Sequence, residues 1–533
     1  MTLRLLTAVS VAALFAGSAQ AETVLHILHT NDFHSRIESI NKYDSTCDGE
    51  TEEAGECFGG SARFVTKIAE LRKQLEEAGE PVILLDAGDQ FQGSLFYTTY
   101  KGKAAAEFMN KLAYDAMAVG NHEFDDGPET LAAFMDMVEF PVISANIDAS
   151  QDTHLHGKLV GSTIIERGGE KIGIIGGTTL DTPEISSPGD DVIFMDDVES
   201  IKADVQELTE QGVTKIIALT HEGYKRDQEL AAAVPGLDAI VGGHSHSALG
   251  TMDNAVGPYP TMVAGADGVE VPVVQAYAYS KYLGHLKLTF DDYGKVTRVE
   301  GEPILMDASV TPDEETLARI RELAAPIDEL RNKVVAQTSA PIDGDRVNCR
   351  ARECEMGNLV ADAMLDRVKD QGIGIAIANG GGLRASIDAG PVTMGEVYTV
   401  LPFQNTLATF QLLGSDVIAA LENGASQIEE GGGRFAQVAG IRYTIDPEAE
   451  PGSRVSDVMV RDGDEWSAID PTATYGVVSN NFMRGGGDGY DVFATNARNA
   501  YDFGPDLAEV LADYLAGQGP AYAPSLDGRI TIR

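Results

Sequence analysis

Short apolar runs alternate with helix-like segments from residue 24 to about residue 305. Several of the runs are rich in Val and Ile, and Gly, Asn, Asp or His follows them at once. The runs are Val24–Leu28, Val82–Leu85, Ala116–Val119, Ile172–Ile175, Ile216–Leu219, Ala239–Val241 and Val273–Val274. Buried strands of a layered α/β sheet have this appearance, with loops at their carboxyl ends. The pattern therefore predicts an α/β fold for this part of the chain.

Five of these runs are followed by residue types that bind metals. The segments are Thr30-Asn31-Asp32-Phe33-His34, Asp86-Ala87-Gly88-Asp89, Gly120-Asn121-His122-Glu123, Thr220-His221-Glu222-Gly223 and Gly242-Gly243-His244-Ser245-His246. Strand ends of an open α/β sheet converge on one crevice, so these side chains can meet. Asp, Asn and His are typical ligands of Zn, Mn, Fe or Co, and a shared carboxylate can bridge two ions ~3.5–4 Å apart. All ten histidines lie between His26 and His285, so we expect a binuclear metal centre in the N-terminal part.

The overall charge limits the kinds of partner. The chain has 533 residues and a formal net charge of −44, while 43% hydrophobic and 23% charged residues are ordinary for globular proteins. A chain of this length exceeds one domain of roughly 100–200 residues. Nucleic-acid polymers and anionic membranes reward Lys and Arg, so the acidity argues against both as partners. A phosphate-bearing substrate must instead be attracted locally, by metal ions or by a few arginines.

The first 21 residues have the features of a secretory signal peptide. Arg4 precedes an apolar run over Leu5–Ala16, and Ala19-Gln20-Ala21 supplies the small residues of a cleavage site. The run is too short to span a bilayer, and no later stretch reaches the ~20 apolar residues that a span needs. We expect cleavage after Ala21 and export of the mature protein to the periplasm or the exterior.

Four cysteines form two close pairs in the sequence, Cys47 with Cys57 and Cys349 with Cys354. An even number of cysteines in an exported chain favours disulfides. A zinc site built from all four is the alternative, although neither pair has the CxxC spacing typical of such sites. We expect local disulfides, whose pairing the sequence leaves open.

An amphipathic linker helix is predicted for residues 311–335. Thr311 suits a helix N-cap and Pro312 the first helical position, and apolar residues then recur at spacings of three and four. Pro326 lies inside this stripe and should kink or interrupt the helix. Strand and helix signals alternate again beyond it, with strands expected at 373–379, 407–413 and 475–479. We thus expect a signal peptide at 1–21, a metal-binding domain at 22–310, the linker helix and a second α/β domain at 336–533.

Two sets of motifs resemble a known family. The N-terminal order DxH, GDxxxG, GNHE, a lone His and GHxH is similar to the motif set of calcineurin-type metallophosphoesterases. The C-terminal segments are Cys349–Asn358, Asn379–Arg384, Leu401–Phe403 and Asn481–Tyr490. Together, the two sets resemble the 5′-nucleotidase family over essentially the whole mature chain. The resemblance implies a layered α/β sandwich joined by a long helix to a smaller α/β domain that binds the nucleotide.

The resemblance also implies two divalent metal ions, with Zn, Mn or Co as the candidates. The first ion would be held by Asp32, His34, Asp89 and His246, and the second by Asp89 as the bridge, Asn121, His221 and His244. His122 would face the substrate phosphoryl group as a charge stabiliser or leaving-group acid, and Asp125 would orient its ring. The histidines without a matching context are interpreted as structural or surface residues: His26, His29, His154, His156 and His285.

The C-terminal motifs imply a phosphate site. Phosphate is bound best by bidentate, permanently charged donors, which Arg supplies better than Lys. Arg350 and Arg384 match the phosphate-contacting arginines of the family, and Asn379 matches a neighbouring polar contact. Arg36 is a weaker candidate on the other side of the cleft.

The same motifs imply a nucleoside site. A nucleobase binds between aromatic faces, and each stacking contact contributes ~1–3 kcal/mol. Phe403 and Phe482 stand where the family sandwiches the base, and Asp488 stands where the family receives the ribose hydroxyls.

The implied activity is hydrolysis of nucleoside 5′-monophosphates by metal-bound hydroxide, with di- or triphosphates, UDP-sugars or NAD as further substrates. A first alternative is a 2′,3′-cyclic-nucleotide 2′-phosphodiesterase/3′-nucleotidase, which shares most metal motifs. The Cys349/Cys354 motif and Asp488 favour the 5′-enzyme. A second alternative is a non-catalytic nucleotide-binding surface protein, against which the complete ligand set, His122 and Asp125 all count.

Overall fold

The computed structural model describes residues 22–533 except Tyr43, Ser45, Asp48, Asp464, Asp502 and Phe503. The predicted signal peptide, residues 1–21, lies outside the described residues. Within the described part, none of the helices combines the length and the apolar composition that crossing a bilayer requires.

The N-terminal part is built from short strands and the helices between them. Its strands are β1 (Thr23–Thr30), β2 (Val82–Asp86), β3 (Ala116–Ala118), β4 (Val142–Ile143), β5 (Ile147–Asp148), β6 (Ser162–Arg167), β7 (Glu170–Thr178), β8 (Ile193–Phe194), β9 (Lys215–His221), β10 (Ala239–Gly242), β11 (Thr261–Ala264), β12 (Glu270–Val274), β13 (Tyr282–Phe290) and β14 (Val296–Leu305). Its helices are α1 (Gly49–Ala54), α2 (Ser61–Ala78), α3 (Leu95–Tyr100), α4 (Gly102–Leu112), α5 (Gly127–Met135), α6 (Thr182–Ile185), α7 (Asp197–Glu210) and α8 (Tyr224–Ala233). All seven apolar runs coincide with strands, as predicted, except that Val119 lies one residue beyond the end of β3.

Two sheets pack face to face in this part. Their strand orders are β14-β13-β1-β2-β3-β4 and β11-β12-β10-β9-β7-β6. One core cluster joins inward residues of both sheets, such as Ile27 and Ile83 of the first and Ile174 and Leu219 of the second. Helices α2, α4 and α5 cover the outer face of the first sheet, and α7 and α8 cover that of the second. The result is the predicted layered sandwich, in the order helix, sheet, sheet, helix.

Parallel pairing brings the carboxyl ends of the central strands to one edge of this sandwich. Strand β1 pairs in parallel with β2, and β2 with β3. In the second sheet, β9 pairs in parallel with both β7 and β10. The loops that follow β1, β2, β3, β9 and β10 can therefore meet, as expected for the five motif segments.

The linker is two short helices, α9 (Glu314–Ala324) and α10 (Asp328–Arg331), where one helix over 311–335 was expected. The first begins later because Asp313, and not Thr311, is the N-cap: its carboxylate accepts from the Thr316 amide at 2.8 Å. Pro326 lies in the gap between the two helices, as its lack of an amide donor predicts. The predicted C-terminal end is also wrong, since strand β15 (Val334–Thr338) begins before residue 335.

The C-terminal part has a second α/β architecture. Its further strands are β16 (Ile375–Asn379), β17 (Gly390–Thr393), β18 (Leu407–Leu413), β19 (Ala436–Ala439), β20 (Ile441–Ile445), β21 (Val455–Asp462), β22 (Glu465–Ala468), β23 (Thr474–Asn480), β24 (Arg498–Tyr501) and β25 (Ile530–Ile532). Its helices are α11 (Arg346–Cys349), α12 (Glu355–Arg367), α13 (Met394–Val400), α14 (Gly414–Ala425), α15 (Asn481–Arg484), α16 (Asp491–Asn496) and α17 (Leu507–Ala516).

A central sheet with the order β19-β16-β23-β18-β24 organises this part. Helices α12, α13 and α17 pack on one face, and α14, α15 and α16 on the other. Disulfides join Cys47 to Cys57 and Cys349 to Cys354, which confirms the disulfide prediction and removes the four-cysteine zinc site.

Candidate active site

The loops that carry the predicted ligands have unusual backbone geometry. Asp32, Asp89, His244 and His246 have φ values of 49°, 58°, 70° and 51°, in the left-handed region. Residues other than glycine occupy this region at an energetic cost, and the surrounding packing must hold them there. All four residues lie in loops that follow strand ends at the same edge of the sandwich.

Asp32, His34 and His246 form a first group of potential ligands. One ligand atom of each lies within 4.8 Å of the others, and all three residues are buried. The Nε2 atom of His246 is 3.0 Å from Asp32 Oδ1 and 3.1 Å from His34 Nε2. This geometry suits three donors directed at one cation.

Asp89, His221 and His244 form a second group under the same distance limit. The Nε2 atom of His221 lies 3.1 Å from Asp89 Oδ2. Asn121 adds an amide oxygen to this group, since its Oδ1 lies 2.9 Å from His244 Nδ1. The group therefore contains the four side chains predicted for the second ion.

The two groups adjoin each other at Asp89. Its Oδ2 atom lies 3.8 Å from His34 Nε2 of the first group, besides its contact with His221. His221 Nε2 in turn lies 4.0 Å from Asp32 Oδ1. All seven predicted ligand side chains are thus brought together, and Asp89 lies between the two groups.

The donor set fits divalent metal ions. Asp32 Oδ1 and His221 Nε2 are buried, and their contacts of 3.0 and 3.1 Å with His246 Nε2 and Asp89 Oδ2 do not have the geometry of hydrogen bonds. Such atoms are expected where lone pairs face an ion. The Nδ1 atoms of His34 and His221 lie 3.0 and 2.6 Å from the carbonyl oxygens of Phe91 and Ala87. Each ring can donate there and present Nε2 as a ligand, as in other metal-binding histidines.

Burial sets the protonation of the histidine ligands. It lowers the pKa of His34, His244 and His246 well below the usual value, whereas at His221 the carboxylates of Asp89 and Asp32 outweigh it and raise the pKa to about 10. Neutral imidazole is the form that binds metals. Burial also raises the pKa of Asp32 to about 6, a cost that a bound cation would offset.

Glu123 connects two of the loops that carry predicted ligands. Its carboxylate accepts from the amides of Gly120 at 2.7 Å, Asp89 at 2.9 Å, Gln90 at 2.8 Å and Phe91 at 3.2 Å. The loops after β2 and β3 are therefore joined through one buried side chain. Sequence reasoning assigned Glu123 no role, although its place in the GNHE motif was a signal.

His122 lies beside the metal-ligand groups and is oriented from two sides. Its amide donates to Asp89 Oδ1 at 2.9 Å, and its Nδ1 donates to Asp125 Oδ2 at 2.7 Å. Burial acts to lower the pKa of His122, but the charges of Asp125 and Asp89 outweigh it and raise the pKa. The predicted pairing of His122 with Asp125 is present.

Arginines from the C-terminal part face this cluster. Arg384 Nη2 lies 3.2 Å from His34 Nε2, and Arg346 Nη2 donates to the His244 carbonyl at 3.3 Å. Arg350 is buried, and its Nε has no partner in the described structure. Burial, followed by the charges of Arg346 and Arg384, lowers the pKa of Arg350. A cluster of buried guanidinium groups of this kind is suited to binding an anion, which would offset their mutual repulsion.

Arg346 was not predicted as a site residue. Its spacing of four residues from Arg350 was a signal, because it places both arginines at the short helix α11 and the turn that follows it.

Arg36, the weaker candidate, lies on the opposite wall. It is buried, its Nη1 and Nη2 atoms have no hydrogen-bond partner in the described residues, and its guanidinium lies over the Tyr279 ring at 5.1 Å. Burial lowers the pKa of Arg36 to about 10. An anion between the walls can thus be contacted from both sides.

The predicted base and ribose residues lie in the C-terminal part, and one of them, Phe403, reaches the predicted catalytic histidine. The ring of Phe403 stacks on that of His122, with centroids 5.5 Å apart and an interplanar angle of 22°. Asn379 Nδ2 donates to Asp488 Oδ2 at 2.6 Å, and both residues are buried. Phe482 packs at the edge of the C-terminal core and against the turn Gly487–Gly489, which contains Asp488.

Other histidines pair outside the ligand groups. His26 Nδ1 lies 2.8 Å from His285 Nε2, and His29 Nε2 lies 2.9 Å from the Tyr259 hydroxyl. His156 contacts its own surface loop through the Ser150 carbonyl, at 2.9 Å.

A four-layer sandwich with two adjoining groups of buried Asp and His at parallel strand ends is the architecture of a metallophosphoesterase, an enzyme that uses divalent metal ions. Residues 25–248 match the family model of the calcineurin-like phosphoesterases, and residues 334–495 match that of the 5′-nucleotidase C-terminal domain.

Known proteins resemble the chain over most of its length. A 5′-nucleotidase from Diplobatis ommata is 39% identical over 95% of this chain and 89% of its own. A snake venom 5′-nucleotidase from Gloydius brevicauda is 38% identical over 95% of this chain and 88% of its own. A 5′-nucleotidase precursor from Thermus thermophilus, known from its crystal structure, has 42% sequence identity to this chain. The two structures match with a TM-score of 0.90 over 96% of this chain and 99% of that chain. The chain belongs to the 5′-nucleotidase family and is a phosphoric monoester hydrolase.

Proposed function

We propose that this protein hydrolyses nucleoside 5′-monophosphates to nucleoside and inorganic phosphate in the cleft between its two parts. One observation carries the proposal: arginines of the C-terminal part reach the metal-ligand groups of the N-terminal part, with Arg384 Nη2 3.2 Å from His34 Nε2. A phosphoryl group in this cleft would contact both. The names of the similar proteins support a nucleotide as the bearer of that group.

The proposal includes two ions, with Zn, Mn or Co as the candidates. Asp32, His34, Asp89 and His246 would hold the first, and Asp89, Asn121, His221 and His244 the second. Such ions supply Lewis-acid activation of the attacking water and neutralise charge on the phosphoryl oxygens. The distances within the two groups support this assignment.

His122 would act on the reacting phosphoryl group. Because Asp125 accepts from Nδ1, the proton available for chemistry is at Nε2. A protonated Nε2 would stabilise negative charge on the phosphoryl oxygens or donate to the 5′-oxygen as it leaves.

The C-terminal part would bind the substrate. Arg350 and Arg384, together with Arg346 and Arg36, would contact the phosphate, with Asn379 beside it. Asp488 would accept hydrogen bonds from the ribose hydroxyls, and Phe403 and Phe482 would stack on the base. On this assignment, residues 22–310 form the catalytic domain and residues 336–533 the nucleotide-binding domain.

We further propose that the protein is exported and that its signal peptide is cleaved after Ala21. The two disulfides, which form in oxidising compartments, support this location. The similarity to venom enzymes supports it as well. N-terminal sequencing of the mature protein should begin at Glu22.

Phosphate release from 5′-AMP and 3′-AMP tests the function. We expect release from 5′-AMP, its loss after EDTA treatment, and its recovery with Mn, Zn or Co. A preference for 3′-AMP and 2′,3′-cyclic AMP would instead support the cyclic phosphodiesterase. Binding without release from either nucleotide would support the non-catalytic alternative. NAD and UDP-glucose in the same assay would define the accepted leaving groups.

A further inference from the structure

A hydroxyl group completes the chain of side chains behind His122. Ser186 Oγ donates to Asp125 Oδ1 at 2.7 Å, while Asp125 Oδ2 accepts from His122 Nδ1 at 2.7 Å. We propose that Ser186 is a positioning residue that fixes the Asp125 carboxylate, and through it the His122 ring, for hydrolysis. This inference rests on the proposed function, in which His122 acts on the phosphoryl group.

The Asp125 carboxylate needs such a partner because it can rotate about its Cβ–Cγ bond. With only the bond to His122, one oxygen would stay free to turn toward water, and the imidazole could turn with it. The second bond, from Ser186, occupies the other oxygen and defines the plane of the carboxylate. Hydrogen bonds to ionised groups are short and strong, so both bonds restrict these side chains more than neutral ones would.

Ser186 is itself anchored to the strand that carries a metal-ligand residue. Its amide donates to the Thr182 carbonyl at 2.9 Å, which closes the short helix α6. Thr182 is fully buried, and its hydroxyl donates to the Thr179 carbonyl at 2.7 Å. The Thr179 amide donates to the carbonyl of His221 at 3.0 Å, at the end of β9. Three hydrogen bonds thus link the position of Ser186 to the ligand strand.

The same segment touches the other domain. Helix α6 lies against the turn Gly487–Gly489, which contains Asp488. Ser186 therefore lies where the two parts of the molecule meet at the cleft. Its hydroxyl is directed at Asp125, so it is placed to act on the orientation of His122 and, through that ring, on the reacting group.

Replacement of the hydroxyl tests the proposal. Ser186→Ala should lower kcat for 5′-AMP by about tenfold and leave KM within twofold, because a hydrogen bond to a charged group is lost while the substrate contacts remain. Ser186→Thr, which keeps the hydroxyl, should restore most of the rate. Ser187→Ala is the matched control, since Ser187 is its exposed neighbour and should leave the rate unchanged.

A double-mutant cycle with Asp125→Ala separates positioning from a general structural effect. If Ser186 acts through Asp125, adding Ser186→Ala to Asp125→Ala should produce no further loss of kcat. Equal losses in both backgrounds would overturn the proposal. An unchanged kcat for Ser186→Ala alone would also overturn it, as would a rise in KM without a change in kcat.

Failure of this inference is distinguishable from failure of the proposed function. If the unmodified protein releases no phosphate from 5′-AMP, the proposed function itself is wrong. If it does and His122→Ala is equally active, the function stands and the role of His122 is wrong. If His122→Ala is impaired while Ser186→Ala is not, only the role of Ser186 is wrong. Melting temperature and bound metal, measured for every variant, should match the unmodified protein.

Discussion

On the proposed function, the two parts of the molecule divide the chemistry between them. The N-terminal part contains all ten histidines and both groups of predicted metal ligands, whereas the C-terminal part has no histidine and supplies Arg346, Arg350 and Arg384 to the cleft. The predicted ligands lie directly after strands of the two-sheet sandwich. The arginines come from a short helix and from loops of the second domain.

This difference follows from what each task requires. A metal centre needs donor atoms held within tenths of an ångström, which buried strand ends and carboxylates such as Glu123 supply. Substrate must also enter and leave, so its phosphate is better contacted by guanidinium groups on a separate surface. Mutations on the two sides should therefore have different signatures: loss of metal on one, and loss of substrate affinity on the other.

The largest effect is expected at Asp89, which would bridge the two ions in the proposed centre. Asp89→Ala should lower kcat by about 10³-fold or more, because the charge stabilisation supplied by bound metal is worth several kcal/mol. Metal content should fall as well, as atomic emission would show. Asp190→Ala, an exposed aspartate, is the control. Full metal content and activity in Asp89→Ala would place the bridge elsewhere.

A second variant separates catalysis from metal binding within the N-terminal part. His122→Ala should lower kcat by ~10²–10⁴-fold, the range typical of general acid–base groups, with metal content unchanged. Kinetics with 5′-AMP and metal analysis of the same preparation measure both quantities. His156→Ala serves as the control for removing a histidine at the surface. Metal loss in His122→Ala would show that His122 is a ligand.

On the C-terminal side, Arg384→Ala should lower kcat/KM by about 10- to 100-fold, since one or two charge-assisted hydrogen bonds to phosphate are lost. Metal content should stay intact, although Arg384 lies close to His34. Arg367→Ala, an exposed arginine of α12, controls for the change in net charge. A loss of metal in Arg384→Ala would break the division between the two domains.

Replacing Phe403 tests whether that ring acts on the base or on His122. Phe403→Ala should raise KM for 5′-AMP by about 5- to 100-fold, because one stacking contact with the base contributes ~1–3 kcal/mol to binding. Hydrolysis of ribose 5-phosphate, which has no base, should be unaffected. Steady-state kinetics with both substrates provide the comparison. Equal losses for the two substrates would instead assign the effect to the stacking of Phe403 on His122.

The smallest effect is expected from replacing one partner of a solvent-exposed ion pair between the two domains. Lys225 Nζ of the N-terminal part is 3.3 Å from Glu430 Oε1 of the C-terminal part, and both side chains are well exposed. Exposed ion pairs contribute roughly 0–1 kcal/mol, so Lys225→Ala should change kcat and KM by less than about twofold. A larger change, tested against Lys171→Ala, would show that this pair influences the cleft.

Much of the fold and site could be predicted from local patterns. Each apolar run of the N-terminal part coincides with a strand to within one residue, and the polar residues that follow five of them meet in one cluster. These predictions depended on short-range features: the run that makes a strand, and the residue that follows it. The break at Pro326 was predicted, but the ends of the linker helix were not, because Asp313 takes the cap expected at Thr311 and β15 begins at Val334.

Contacts that do not follow from strand ends sharing one edge of a sheet were decided by the tertiary structure alone. No local pattern shows that the hydroxyl of Ser186 lies against Asp125, 61 residues earlier in the chain, or that Arg384 meets His34 across 350 residues. Arg346 belongs to this class as well, since only the packing of α11 beside the cleft brings it to His244.

The sequence by itself determined the kinds of chemistry and their division along the chain, because ligand types, arginines and strand periodicity are local properties. The tertiary structure decided which of these groups meet and at what distance. Hydrogen-bond and metal-ligand contacts require atoms placed to within a few tenths of an ångström, and only the packed sheets and the apposition of the two domains define positions at that scale.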